Sequence, residues 1–374
     1  MSAIAVAAAA ASSLGFIWLG YPAIVGLLVR LLGPRAVERR PSDAPFPSVS
    51  VLLASRENAD VIRARIANLV ASDVPAPHLE VVVALDVDAR CVPDSLVGAA
   101  PRLRCVATPP PGGKALALNA AAAAATGDIL VFADTFQRFA PDTIRRLTEP
   151  LADPTVGAVS GSLERGERGS RWHPIALYWR LERWLREREA ARHSAIGVTG
   201  AVYAMRARDW RPLPGGLILD DVFVPMRLVL NGQRILFDAG ASAEDVRSIA
   251  PEAEFHRKVR TLTGTWQLCA WLPAVLAPWH NPVWVGFVCH KLLRLLTPFL
   301  VAAGLVALVV ALAGSVGLAL TTLSVTVAAA GVAYLGSTLH PLLAVSNVVQ
   351  ALALLPAAAA VAFWRALRRD WTWE

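Results

Sequence analysis

No Lys, Arg, Asp or Glu occurs from Met1 to Val29, and none from Leu295 to Trp364, whereas the stretch from Arg30 to Arg294 carries an ordinary density of charge. This partition constrains the fold more than any average does. An uncharged apolar run of about 20 residues can cross the ~30 Å hydrocarbon layer of a bilayer. A polar domain held between membrane-embedded ends is therefore expected. Composition agrees, since 55% of the 374 residues are hydrophobic and the mean hydropathy is +0.48, both high for a soluble protein.

The segment 1–32 reads as a transmembrane helix, Ala3 to Leu32. A cleaved signal peptide would carry basic residues before its apolar run; here Arg30, Arg35, Arg39 and Arg40 follow it. By the positive-inside rule the region 33–264 is expected on the cytosolic side. Residues 265–290 contain Trp266, Trp271, Trp279 and Trp284 and read as an interfacial Trp-rich belt. The remainder, 291–374, divides at Gly314, Gly317, Gly336 and Pro341 into three apolar segments, Leu292–Leu312, Val316–Leu335 and Leu343–Trp364, with a short basic tail. Three crossings would place Arg365, Arg368 and Arg369 outside, against the charge rule, so the number of complete spans stays open. The expected location is a bacterial inner (plasma) membrane, multi-pass.

A net charge of +7 calls for an anionic partner. No base-stacking motif accompanies the scattered arginines, so nucleic acid is set aside in favour of lipid headgroups and a nucleotide diphosphate. Cys91, Cys105, Cys269 and Cys289 lack metal or disulfide spacing and read as reduced thiols.

Within the central region, Ser48–Ala54 and Leu79–Leu85 read as strands, with a helical pattern over Ala59–Val70 between them. Gly113–Ala125 follows as an Ala-rich helix and Ile129–Ala133 as a third strand. Alternation of this kind predicts an α/β domain with a mostly parallel sheet whose ligand crevice lies at the carboxyl ends of the strands. Asp86 and Asp134 sit at such ends. Further apolar runs cover Ala158–Ser162 and Val198–Met205, the second opening with small residues, Gly197 to Ala201, that admit a ligand to the backbone. Asp220 and Asp221 then precede a helix over Phe223–Leu230; adjacent acids at a helix start also serve as caps. The helix Tyr178–Ala191, YWRLERWLREREAA, reads as an interfacial element that steers the domain to the bilayer.

These segments occur in a familiar order: SVLLASREN; the strand ending at Asp86; Gly113-Lys114 before Leu118-Asn119; VFADTFQRFAPD; ADPTVGAVSG; GVTGAVYAMR; LDDVFVPMR; EFHRKVRTLTG. From about Tyr21 to its end the chain resembles the membrane-bound glycosyltransferases of family 2, which include cellulose, chitin, hyaluronan and poly-N-acetylglucosamine synthases. The resemblance implies a GT-A fold with N- and C-terminal transmembrane helices and a nucleotide-sugar donor, expected to be a UDP-sugar. It implies Asp86, Ser55, Glu57 and Lys114 as donor-binding residues, with Asp86 on the uracil. Lys258 and Arg260 would bind the pyrophosphate, Thr199 and Gly200 the acceptor. Asp134 would hold Mg2+ or Mn2+, and Asp221, beside Asp220, would be the general base.

Four departures stand out, the first being Asp220-Asp221 where the family has Glu-Asp. The metal motif reads Asp134-Thr135-Phe136, and a phenyl ring cannot ligate a cation; His256 is a candidate to complete that site. Glu57-Asn58 stands where the family has Asn-Glu. Thr261 replaces the Trp that belongs to the acceptor platform of the polymer-forming members. The expected activity is inverting transfer to a polysaccharide or glycolipid acceptor. Single addition to a lipid or polyprenyl carrier and a non-catalytic relative are the alternatives.

Overall fold

The computed structural model describes residues 2–38, 45–165, 174–247, 251–312 and 357–371, with Ser324, Thr326 and Val327. Its strands are β1 (Val49–Ser55), β2 (Leu79–Leu85), β3 (Leu103–Ala107), β4 (Ile129–Ala133), β5 (Gln137–Phe139), β6 (Val156–Arg165), β7 (Val202–Arg206) and β8 (Arg234–Asp245). The helices are α1 (Ala3–Leu32), α2 (Ala59–Val70), α3 (Lys114–Ala124), α4 (Thr143–Thr148), α5 (Pro174–Arg192), α6 (Asp220–Leu230), α7 (Pro251–Trp271), α8 (Trp284–Leu312) and α9 (Ala357–Leu367).

All eight strands form one sheet in the order β3-β2-β1-β4-β7-β6-β8-β5. Side chains alternate across it, as strand geometry requires. Leu52, Val82, Leu130, Phe132 and Tyr203 face one core layer, while Val51, Leu53, Val81, Val83 and Val131 face the other. Burial on both faces explains why β4 is an unbroken apolar run and why β2 departs from one only at Glu80, whose buried carboxylate accepts from Ser50 and Thr126. Phe132 and Tyr203 stack across β4 and β7 with centroids 4.1 Å apart.

The sheet is mixed, with four neighbouring pairs parallel and three antiparallel, so the parallel pairing expected holds by a narrow majority. The cause is β7, which enters between β4 and β6 running opposite to both. Its apolar run gives no direction, and only pairing reveals one. The consequence is functional. Val202 lies opposite Ala133, so the turn before β7 is delivered to the carboxyl end of β4. The residues Val198–Ala201, read as part of that strand, belong to this turn.

Helices α1 and α8, 30 and 29 residues long, are long and apolar enough to cross a membrane. They touch through Trp18 Nε1, which donates to Thr297 Oγ1 at 3.3 Å, and their outer faces leave Leu19, Leu31, Leu305 and Val306 exposed. The expected span Val316–Leu335 lies outside the described residues apart from Ser324, Thr326 and Val327, and Leu343–Trp364 is described only from 357, within α9. Of the Trp-rich stretch, Trp279 is exposed, whereas Trp266 packs edge-on against Phe363 of α9 and Trp271 against the sheet core.

Helix α5, read as an interfacial element, is instead clamped between the two long apolar helices. Its Glu189 accepts from Tyr21 of α1 at 2.7 Å and lies 2.9 Å from His290 Nδ1 of α8. Its Glu182 meets His290 Nε2 at 3.1 Å and is paired with Arg294. Burial, the largest influence on Glu182, would raise its pKa, but His290, Arg294 and Lys291 together hold it well below the usual carboxylate range.

Candidate active site

Strand register builds the site's floor. Ser55 pairs with Leu85, and Leu53 with Ala133, so Arg56, Asp86 and Asp134 leave the sheet along the same edge. At one end of this edge Asp86 is locked. Its Oδ2 accepts from Arg56 Nε at 2.6 Å, and its Oδ1 from the backbone N–H groups of Val87 and Gly113, each at 2.9 Å. Burial would raise its pKa, but the Gly113 amide, Arg56 and the Val87 amide outweigh burial and lower it.

The approach depends on glycine. Gly112 and Gly113 have φ of 87° and 96°, in the region that glycine alone occupies freely. A Cβ on Gly112 would lie 2.6 Å from Asp86 Oδ1. The chain turns through this pair into α3, whose first residue is Lys114.

Lys114 is the hub. Its Nζ lies 3.1 Å from Asp134 Oδ1 and 3.5 Å from Asp220 Oδ2. Burial would lower its pKa, but Asp134, Asp220 and Asp221 raise it, so the ammonium is firmly charged. Asp134 is fixed from behind by Arg65 of α2, which donates to its carbonyl at 3.0 Å, and its carboxylate stays 39% exposed. Ser55 sits alongside, accepting from Thr135 Oγ1 at 3.1 Å and from the Glu57 amide at 3.2 Å. Asn58 caps α2, accepting from the Val61 amide at 3.1 Å.

The opposite wall is the start of α6. Asp220 is buried, and among the described residues its Oδ2 has no hydrogen bond despite its ion contact with Lys114. Asp221 lies against Gly200, where a Cβ would come within 3.1 Å of the Asp221 side chain and 3.7 Å of Lys114 Nζ. Burial first, and the neighbouring Asp220 second, push the Asp221 pKa up to about 6. Thr199 is held by its amide donating to Ser160 Oγ at 2.8 Å and its hydroxyl donating to the Gly161 carbonyl at 2.9 Å.

The structure thus gathers Asp86, Lys114, Asp134, Asp220, Asp221, Ser55, Thr199 and Gly200 around one crevice. Two expected residues stand apart. Lys258 lies over the rings of Tyr178 and Trp179, at 4.6 and 5.2 Å. His256 packs beside Phe255, and among the described residues no cluster of three or more His, Cys, Asp or Glu could hold a metal. Arg260 reaches the site's border, its Nη2 3.5 Å from the Ile218 carbonyl. Phe136 turns its ring to Arg247, 4.6 Å away. Arg186 and Lys291, which border a cavity against Asp221, were not singled out as site residues from sequence, because they sit in helices that read as membrane-directed.

Comparison with known proteins accords with this geometry. The profile described as "Glycosyltransferase like family 2" matches residues 47–264, more than half of the chain. A protein of Mesorhizobium japonicum named N-acetylglucosaminyltransferase is 34% identical over 151 residues, 39% of this chain and 35% of that protein. One of the same name from Rhizobium meliloti is 28% identical over 196 residues, covering 50% of this chain and 45% of that protein. The chain therefore aligns with less than half the length of these relatives. Among solved structures, the mannosyltransferase PcManGT of Pyrobaculum calidifontis, in complex with GDP-Man and Mn2+, superposes with a TM-score of 0.74 at 21% identity, covering 98% of this chain and 99% of that one. The shared architecture is the GT-A fold.

Proposed function

This chain belongs to glycosyltransferase family 2, and on that premise we propose that it is a membrane-bound inverting transferase moving a sugar from a UDP-sugar to a glycan or lipid-linked acceptor. The name shared by the two rhizobial relatives favours N-acetylglucosamine as the sugar. The observation that carries the reading is the convergence of Asp134, Asp220 and Asp221 on the Lys114 ammonium, one residue beyond the amide that grips Asp86.

Each group then has a task. Asp86 accepts from the uracil; because its oxygens are already engaged, the base displaces Arg56, its most exposed partner. Lys114 and Arg260 neutralise the diphosphate as negative charge builds on it. Asp221 takes the proton of the acceptor hydroxyl. A carboxylate with a pKa near 6 is still ionised at neutral pH, yet more basic than an ordinary one. Attack opposite the departing diphosphate inverts the anomeric centre. Thr199 and Gly200 line the acceptor side, where the missing side chain leaves room next to Asp221.

A divalent cation fits this site through Asp134, whose carboxylate offers hard oxygen donors and an open side. Mg2+ characteristically accepts one or two carboxylates together with substrate phosphates and water. When bound, it supplies further charge neutralisation for the leaving diphosphate. Phe136 contributes nothing to it. Exposed α1 and α8 support the bilayer as partner, with the central domain on the cytosolic side of an inner membrane.

The test is nucleotide release by the full-length chain in lipid nanodiscs, offered UDP-N-acetylglucosamine, UDP-glucose and GDP-mannose with and without Mg2+ or Mn2+. Metal-stimulated release from a UDP-sugar, lost in Asp221→Asn, is expected. Release from none of the donors under any condition would refute the reading. Thr261 in place of an aromatic platform favours one addition over polymer growth, and sizing of labelled product separates one added sugar from a ladder.

A further inference from the structure

A cavity of about 110 Å3 lies against Asp221, and Lys114, Asp134 and Asp86 do not border it. Its walls include Arg186 of α5, Thr261, Thr265 and Leu268 of α7, and Lys291 of α8. Two cations and one carboxylate therefore share a small, partly open space. It has room for several waters or one compact polar group.

The cations are available to a ligand. The acids nearest to Lys291 along α5 are engaged elsewhere, Glu189 by Tyr21 and His290 and Glu182 by His290 and Arg294. No hydrogen bond, and no ion pair within 4 Å, involves the Lys291 ammonium among the described residues. Lys291 also lies in the π-helical turn Phe287–Leu292, a form frequent at functional sites. Arg186 spends one N–H on Thr199 Oγ1 at 3.3 Å, leaving most of its five donors. The threonine hydroxyls donate outside the cavity, Thr261 to the Arg257 carbonyl at 2.9 Å and Thr265 to the Thr261 carbonyl at 3.0 Å. What the cavity offers is cationic donors, and what suits them is a compact anion.

We infer that the acceptor carries a phosphate held by Arg186 and Lys291 while a hydroxyl of the same molecule faces Asp221, so that the acceptor is a phosphorylated sugar. The inference rests on Asp221 being the base proposed above. In the step itself, the acceptor oxygen forms the new bond to the anomeric carbon and its proton passes to Asp221. The bond from that carbon to the donor phosphate oxygen breaks, its electron pair leaving on the nucleotide diphosphate. The acceptor phosphate neither gains nor loses a bond. Beyond Arg294, α8 runs to Leu312 without a charge, a path for a lipid attached to that phosphate. A soluble sugar phosphate has the same headgroup chemistry.

The experiment offers the nanodisc-embedded full chain three acceptors with one radiolabelled UDP-sugar: a polyprenyl-diphosphate-linked sugar in neutral phosphatidylcholine, a soluble hexose 1-phosphate, and the unphosphorylated hexose. Transfer to either phosphorylated acceptor, with KM at least tenfold below that for the neutral hexose, is expected; which of the two is used identifies the source of the phosphate. Lys291→Met and Arg186→Gln should each raise acceptor KM about tenfold while the UDP dissociation constant, measured by calorimetry, stays within threefold. Arg183→Gln, an exposed arginine on the same helix, should change neither. Equal use of the neutral hexose overturns the inference, as does unchanged acceptor KM in both variants. Loss of UDP binding in wild-type protein would instead sink the underlying function.

Discussion

Asp86 and Asp221 are the same chemical group at the two ends of one crevice, and their surroundings push them in opposite directions. Asp86 sits among donors, two amides and a guanidinium, that favour its ionised form. Asp221 is withdrawn from water next to another acid, and its pKa rises to about 6. On the function proposed above, the first environment suits a fixed acceptor for recognition and the second a base poised near neutrality. Hydrogen-bond donors set the first environment, burial and a neighbouring carboxylate the second, and on the proposed function this divides holding from proton transfer.

The largest effect expected is at the basic end. Asp221→Asn should lower kcat by about 10² to 10⁴ with donor affinity largely retained, as read by turnover and by UDP calorimetry. Lys114→Met comes next. It leaves three carboxylates facing the diphosphate without their shared cation, and donor affinity should fall on the order of 10²-fold. At the recognition end, Asp86→Ala should raise donor KM by roughly tenfold, the worth of one good charge-assisted hydrogen bond, with kcat changed little.

The pH profile sharpens the contrast. The base form of Asp221 is lost as pH falls, so log kcat/KM should decline below about 6. Asp220 raises that pKa and Lys114 lowers it. Asp220→Asn should therefore move the inflection down in any residual activity, and Lys114→Met should move it up. An inflection that ignores both changes would belong to some other group. The smallest effect should be Arg56→Ala. Its side chain is 58% exposed, and an ion pair of that kind contributes at most about 1 kcal/mol, so donor KM should move by less than about fivefold in either direction.

The elements that sequence reading located best are those with one physical solution. β4 is an apolar run and β2 is one but for Glu80, each followed by an acid, and their bounds matched the expectation because a buried strand accommodates such runs. β3 and β8 escaped notice. β3 is an outer strand carrying Arg104, and β8 mixes Asp238 and Glu244 with small residues, so neither presents a continuous apolar signal. The same limit hid the cavity cations. Lys291 stands at the threshold of an apolar helix and Arg186 in a helix of mixed charge, where a basic residue ordinarily reads as an anchor.

By itself the sequence determined the partition into apolar ends and a polar middle, the α/β character of that middle, and the identity of the acids at the strand ends. All of these follow from local composition and periodicity. Only the tertiary structure decided the direction of β7, which carries Gly200 to Asp221, and the placement of one lysine among three acids. It also turned α5 inward onto α1 and α8. Strand direction and contacts between distant segments depend on pairings that local hydropathy does not encode.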